Sequence, residues 1–198
     1  ILNEHKSIAV VGSRKISAVG AKLAYNAGSI IGKNGFNLVN GLALGCDAEA
    51  LKGALAAGGK CAVVLPCGIN EIYPKSNQWI AEEVLKQGGC LISEYPEGTR
   101  PEKYRFVQRD RLQSGMSQGV LVVEAMEKSG TMHTAEYAKK QNRRLACYYH
   151  GLLKYSTGNN VLENLYQAAV IKTNEDLENY LCEIADIEEY TQLSFDFV

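Results

Sequence analysis

The stretch Ile8-Ala-Val-Val-Gly12-Ser13-Arg14 decides how the chain is read: an apolar strand that empties into a glycine, a hydroxyl and a guanidinium. The same plan returns at Asn37-Leu-Val-Asn-Gly41-Leu42-Ala-Leu-Gly45-Cys-Asp47. An unbroken apolar run marks a parallel strand buried on both faces, and a glycine-hinged turn into a helix leaves backbone N–H groups pointing outward. Such a helix start binds anions, and phosphate is the obvious one.

Outward from these turns, further apolar runs fall at 36–40, 60–65, 89–93, 119–124 and 144–149, with a short one at 169–172. Helix-period segments fill the gaps at 17–33, 47–57, 76–87, near 107–114, at 131–141, near 161–167 and at 174–184. Gly35, Gly58-Gly59 and Gly88-Gly89 stop the first three, while Ser17, Asp47 and Ser76 are suitable N-caps. Gly158-Asn159-Asn160 reads as a turn. Strands alternating with helices predict an α/β domain, a mostly parallel sheet with helices on both faces, over residues 1–184. Residues 185–198 read as an acidic tail.

The bulk numbers exclude several classes. At 198 residues, 46% hydrophobic and 22% charged, the chain buries a full core without metal or disulfide. No apolar run approaches the roughly 20 residues of a membrane helix. Six cysteines, none spaced for a zinc or dithiol site, are expected to be buried reduced thiols of a cytoplasmic protein. The chain opens at Ile1 with no signal-peptide pattern, which suits a piece of a longer protein. GxGxxG and Gly-Lys-Ser/Thr are both missing, so neither a nicotinamide cofactor nor ATP hydrolysis is supported, and no cofactor is expected. Residues 1–150 hold 19 Lys+Arg against 13 Asp+Glu, whereas residues 151–198 hold 2 against 9. The front half is the anion-binding end.

Gly12, Ser13 and Arg14 can place backbone donors, a hydroxyl and a charged fork round one phosphate. Gly41, Leu42 and Gly45 open a second turn, and Ser129-Gly130-Thr131, after the strand ending at Glu124, opens a third. Asp47 reads as a helix N-cap and His133 as a surface residue. Arg105, Phe106, Arg109 and Arg111 put an aromatic ring among guanidiniums at a loop-to-helix junction, a mixture that stacks a base and holds flanking phosphates. Lys128 adds to the positive field.

Together these residues resemble the DprA/Smf family, the DNA-processing proteins of natural transformation. The likeness runs from Ile8 to about Leu181 and rests on ordered motifs. These are Gly12-Ser13-Arg14, Gly41 to Asp47, Ile72-Tyr73-Pro74, Ser93 to Thr99, Phe106 to Arg111, Val122 to Ala125 and Ser129 to Ala135. The resemblance implies an extended Rossmann-like fold that binds single-stranded DNA in a basic pocket, forms a homodimer and hands the strand to the RecA recombinase. It also implies that flanking family domains are absent from this stretch.

The chain departs from the family at Leu44, where arginine is usual, and at Val107, Gln108 and Asp110, in place of Pro, Arg and Asn. Two cations fewer and one anion more are expected to weaken phosphate binding. The LOG-type phosphoribohydrolases share the fold and are the alternative, together with a nucleotide sensor that has no catalysis. Thr134 stands where their catalytic glutamate belongs, and Glu136 is offset by two positions. The tail segment Gln192-Leu-Ser-Phe195-Asp-Phe197 is similar to the peptides that dock bacterial proteins on the replication sliding clamp.

Overall fold

A computed structural model describes residue 2 and residues 5–186. Seven parallel strands form one sheet: β1 (Ser7–Val11), β2 (Asn37–Asn40), β3 (Cys61–Val64), β4 (Cys90–Ile92), β5 (Gly119–Val122), β6 (Arg144–Tyr148) and β7 (Ala169–Ile171), in the order β4-β3-β2-β1-β5-β6-β7. Between them run α1 (Ala18–Lys33), α2 (Cys46–Ala56), α3 (Gln78–Lys86), α4 (Lys103–Gly115), α5 (Thr131–Lys140) and α6 (Thr157–Leu165), and α7 (Asn174–Ala185) follows β7.

Residue alternation along the strands decides what each face packs against. Ile8 and Val10 face the layer of α1, α2, α3 and α7, with Ile31, Leu51, Ile80 and Leu181 in that core. Ala9 and Val11 face α5 and α6, where Met132, Ala135 and Leu162 pack, and Val39, Ala62 and Val64 meet Leu112 of α4. The chain winds outward from β1 through β2 and β3 to β4, then crosses back to β5 on the other side of β1. The strand order reverses between β1 and β5, and open α/β sheets hold ligands outside the carboxyl ends of strands at such a point.

Four local expectations give way to tertiary contacts. Ser17 does cap α1, accepting from Gly20 N at 3.0 Å, but Asp47 lies inside α2, whose N-cap is Gly45. A 3-10 turn (Lys75–Asn77) leads into α3, displacing Ser76 from its cap. α4 starts at Lys103, well before the expected 107. Gly158 and Asn159 belong to the first turn of α6. The Asn159 amide there accepts from Ala125 N at 2.8 Å and donates to Val123 O and Tyr148 O at 2.9 and 3.0 Å, which outweighs its turn preference.

The six cysteines are all free, four of them buried as expected, whereas Cys90 is half-buried and Cys182 exposed. No helix among the described residues is long and apolar enough to cross a membrane. The segment Gln192 to Phe197 lies outside the described residues.

Candidate nucleic-acid interface

The three glycine-hinged turns come together at the carboxyl end of the sheet and wall one cavity of about 920 Å³. Its wall carries Gly12, Ser13 and Arg14 from the first turn, Ala43 and Asp47 from the second, and Ser129, Gly130 and Thr131 from the third. α4 closes the remaining side with Lys103, Phe106, Val107, Arg109, Asp110 and Gln113.

The turns differ in what they leave free. Ser13 N donates to Glu124 O at 2.7 Å, and its hydroxyl is engaged by the backbone of Lys15 at 2.9 and 3.1 Å. The first turn is therefore pinned to the end of β5, and its exposed group is the Arg14 side chain. In the second turn the Asp47 carboxylate folds back, accepting from Gly41 N at 3.0 Å and Ala43 N at 3.2 Å, while Leu42 N donates to Asn40 Oδ1 at 3.1 Å. Of the amides expected to bind phosphate, that of Gly41 is thus taken by the protein's own carboxylate and that of Leu42 by Asn40, and Leu42 is fully buried. Gly45, with φ +74°, lets this turn pack onto the first, since a Cβ there would lie 2.5 Å from Ser13 O and 2.6 Å from Arg14 O. Asn77 Nδ2 completes the brace, donating to Leu42 O and Ala43 O at 2.9 and 3.2 Å.

The third turn remains open. α5 begins with no side-chain cap; Met132 N and His133 N turn back to Ser129 O and Gly130 O at 3.1 and 3.0 Å, which leaves the Gly130 and Thr131 amides without a partner among the described residues. Ser129 Oγ is buried without a hydrogen-bond partner among the described residues. The positive end of the α5 dipole adds to these donors.

The predicted cations separate into two groups. Arg109 is 4% exposed and serves the fold: Nη1 donates to Val64 O at 2.8 Å, and its guanidinium lies against Gly41, where a Cβ would overlap it. Arg105 is pinned by Arg100 O and Glu102, with Cζ 5.2 Å from the centroids of both Tyr95 and Tyr104. Arg111 pairs with both oxygens of Glu94 at 2.5 and 2.7 Å. Neither Arg105 nor Arg111 lines the cavity, and neither does the exposed Lys128. The cations that do are Arg14, Lys15, Lys103 and Arg109, with His133 at the mouth. Lys15 and Lys103 were not among the expected phosphate ligands, Lys103 lying in the long loop ahead of the helix expected near 107.

Phe106 is held between two groups. Arg14 Cζ lies 4.9 Å from its ring centroid, and Tyr73 meets it edge-on at 5.6 Å and 69°. On the floor, Asp110 Oδ1 accepts from Gln113 Nε2 at 3.0 Å and lies 3.4 Å from Arg109 Nε. Burial pushes the Asp110 carboxyl up to about 7, against the opposing pull of Arg109. Burial also raises Asp47, with Arg109 again pulling the other way. Two acids therefore line the floor beneath a basic rim. No cluster of three metal-ligating side chains occurs among the described residues.

Comparison with known proteins agrees with this architecture. The family model described as DNA recombination-mediator protein A matches residues 1–181. Protein Smf of Escherichia coli is 41% identical over 138 residues, covering 70% of this chain and 37% of the relative. DNA processing protein DprA of Bacillus subtilis is 35% identical over 145 residues, covering 73% and 48%. The chain spans between 34% and 48% of the length of the curated relatives it matches. Among solved structures, DNA processing protein A of Helicobacter pylori, studied for its single-stranded DNA binding mode, superposes with a TM-score of 0.82 at 30% identity over 92% of this chain and 82% of that one. A parallel sheet with its turns gathered at the β1–β5 reversal, matched in sequence over nearly its whole length, places the chain in the DNA recombination-mediator protein A family, that of the DprA and Smf proteins.

Proposed function

We propose that this domain is a non-enzymatic single-stranded DNA-binding module of a DNA-processing protein. The observation that carries the reading is the cavity itself: three turns at one rim, with an uncapped helix start, four basic side chains and the Arg14–Phe106 pair around about 920 Å³. A phosphate lies at the start of α5, Arg14 and Lys103 neutralise its neighbours, and a base stacks on the face of Phe106 that Arg14 leaves open. The relatives' names and the single-stranded DNA binding of the Helicobacter protein support the assignment.

The family description as a recombination mediator supports delivery of the strand to the RecA recombinase in the cytoplasm, during transformation or recombination. A homodimer accompanies this role, and the tail peptide at Gln192 offers a contact for the sliding clamp. Thr134, buried in the cavity wall, and Glu136, which lies 3.9 Å from His133 Nδ1 and outside that wall, favour binding over nucleotide hydrolysis.

Titration with labelled oligo-dT at two salt concentrations tests the reading. Binding should weaken steeply as salt rises, and Arg14→Ala should lower affinity about tenfold or more. Unchanged affinity of that variant removes the cavity from the account. A melting temperature raised by a mononucleotide but not by the oligonucleotide would identify a nucleotide sensor instead.

A further inference from the structure

Beyond the cavity, the same end of the sheet carries a second set of cations over aromatic rings. Residues 151–198 hold nine acids and only two basic side chains, Lys154 and Lys172. Both lysines lie over rings. Lys154 Nζ is 5.3 Å from the centroid of Tyr155, and Lys172 Nζ is 4.9 Å from that of Tyr149.

Tyr155 belongs to the cavity wall, and Tyr149 and Lys172 follow directly on the carboxyl ends of β6 and β7. Tyr155 is 38% exposed, forms part of the cavity wall and is held by its amide, which donates to Glu124 Oε1 at 3.0 Å. The loop that follows is tied back to the end of β6 by Ser156 Oγ donating to His150 O at 3.0 Å. Tyr149 N donates to Ile171 O at 3.0 Å, which sets its ring beside Lys172 at the end of β7. His150 meets the Tyr149 ring at 4.7 Å between centroids, and its Nδ1 engages the Glu163 carboxylate at 3.0 Å. Both lysines are exposed and Tyr149 is half-buried.

Tyr155 on the cavity wall and the half-buried Tyr149, each beside an exposed lysine, have the composition of a stacking platform for single strands. We propose that the strand track continues from the cavity past Tyr155 to Tyr149: bases stack on these rings, and the phosphates between them meet Lys154 and Lys172. The inference rests on the cavity reading and extends it in length. It predicts that the protein engages more nucleotides than the cavity holds.

The test compares oligo-dT of about 6 and about 20 nucleotides, one near the short end of single-strand site sizes and one beyond their long end. Lys154→Glu with Lys172→Glu should leave the short oligomer's affinity within about twofold and weaken the long one about tenfold. The salt slope for the long oligomer should fall by about 1.4, roughly 0.7 for each phosphate that is no longer neutralised. Tyr149→Trp, in a Trp79→Phe background, should be quenched by the long oligomer and not by the short one. Long-oligomer affinity and slope equal to the parent's, or equal losses at both lengths, overturn the track while the cavity reading stands. Parent protein that binds neither length removes the cavity reading, and the track with it.

Discussion

The guanidinium carbon of Arg14 lies 4.9 Å above the centroid of the Phe106 ring. Arg14 belongs to the turn after β1 and Phe106 to the first turn of α4, so the pair joins the two sides of the cavity mouth. A cation over an aromatic face is oriented by the ring quadrupole at a cost of little solvation. Arg14→Ala and Phe106→Ala should each weaken oligo-dT binding about tenfold, the first by removing a charged phosphate ligand and the second by removing a stacking surface. Because the ring also positions the guanidinium, the double variant should lose about 0.5–1 kcal/mol less than the sum of the single losses. Fully additive losses would show the two side chains acting independently.

Asp110 should make binding depend on pH. Its carboxyl faces Arg109 and Gln113 from its own helix, Asp47 from α2 and Arg14 from the first turn, and burial sets it at about 7. Above that pH the cavity floor gains a negative charge, and below it the charge is gone. Oligo-dT affinity should therefore rise as pH falls through about 7, and Asp110→Asn should hold the low-pH affinity at pH 8.

The same group leaves a signature in stability. Its folded-state value lies above the ordinary 3.8, so its favourable contribution is complete below about 3.8 and is lost as pH rises to about 7. Asp110→Asn should thus raise the melting temperature at pH 8 and change it little at pH 4. An equal effect at both pH values would contradict the burial argument.

Much of this arrangement could be read from the chain, for physical reasons that differ between elements. The strands were legible because burial on both faces leaves unbroken apolar runs such as Ile8 to Val11. Three helix ends were legible because Gly35, Gly58 and Gly88 take φ of +74°, +73° and +78°, where a side chain is strained. Convergence of the three turns followed from strand–turn–helix order in a parallel sheet, which brings every such turn to one end. What each turn does with its amides was not legible. Asp47 reads as a cap because its spacing fits one, and only the packing of the second turn on the first directs its carboxylate to Gly41 and Ala43. Arg105, Arg109, Arg111 and Arg14 look alike in sequence. Their partners, Arg100 O, Val64 O, Glu94 and Phe106, tie down the first three, Arg109 within the cavity wall, and leave Arg14 exposed at the cavity.

Asp47 should accordingly behave as a structural residue. Its Oδ2 satisfies two loop amides, and its charge faces the buried Arg109 guanidinium. Asp47→Ala should cost about 3–5 kcal/mol, since it strands both amides and a buried cation. Asp47→Asn retains an acceptor oxygen and should cost roughly half as much. Denaturant unfolding measures both, and faster hydrogen exchange at Gly41 and Ala43 should accompany the loss. A cost below about 1 kcal/mol for Asp47→Ala would mean that water or another group takes over the amides.

Lys103 and Arg111 stand on the same helix with the same charge and should differ in function. Lys103 is exposed on the cavity wall, whereas Arg111 is outside it and engaged by Glu94. An exposed ion pair of this kind contributes only about 0–1 kcal/mol to stability, so Arg111→Ala should fold normally. It also removes a cation already matched by a carboxylate, leaving the number of phosphates neutralised unchanged. Lys103→Ala removes a cavity-wall cation that has no ion pair among the described residues. Plots of log affinity against log salt should therefore fall by about 0.7 in slope for Lys103→Ala and keep the parent slope for Arg111→Ala. A reversed order would place the strand along the Glu94 face of α4, outside the cavity.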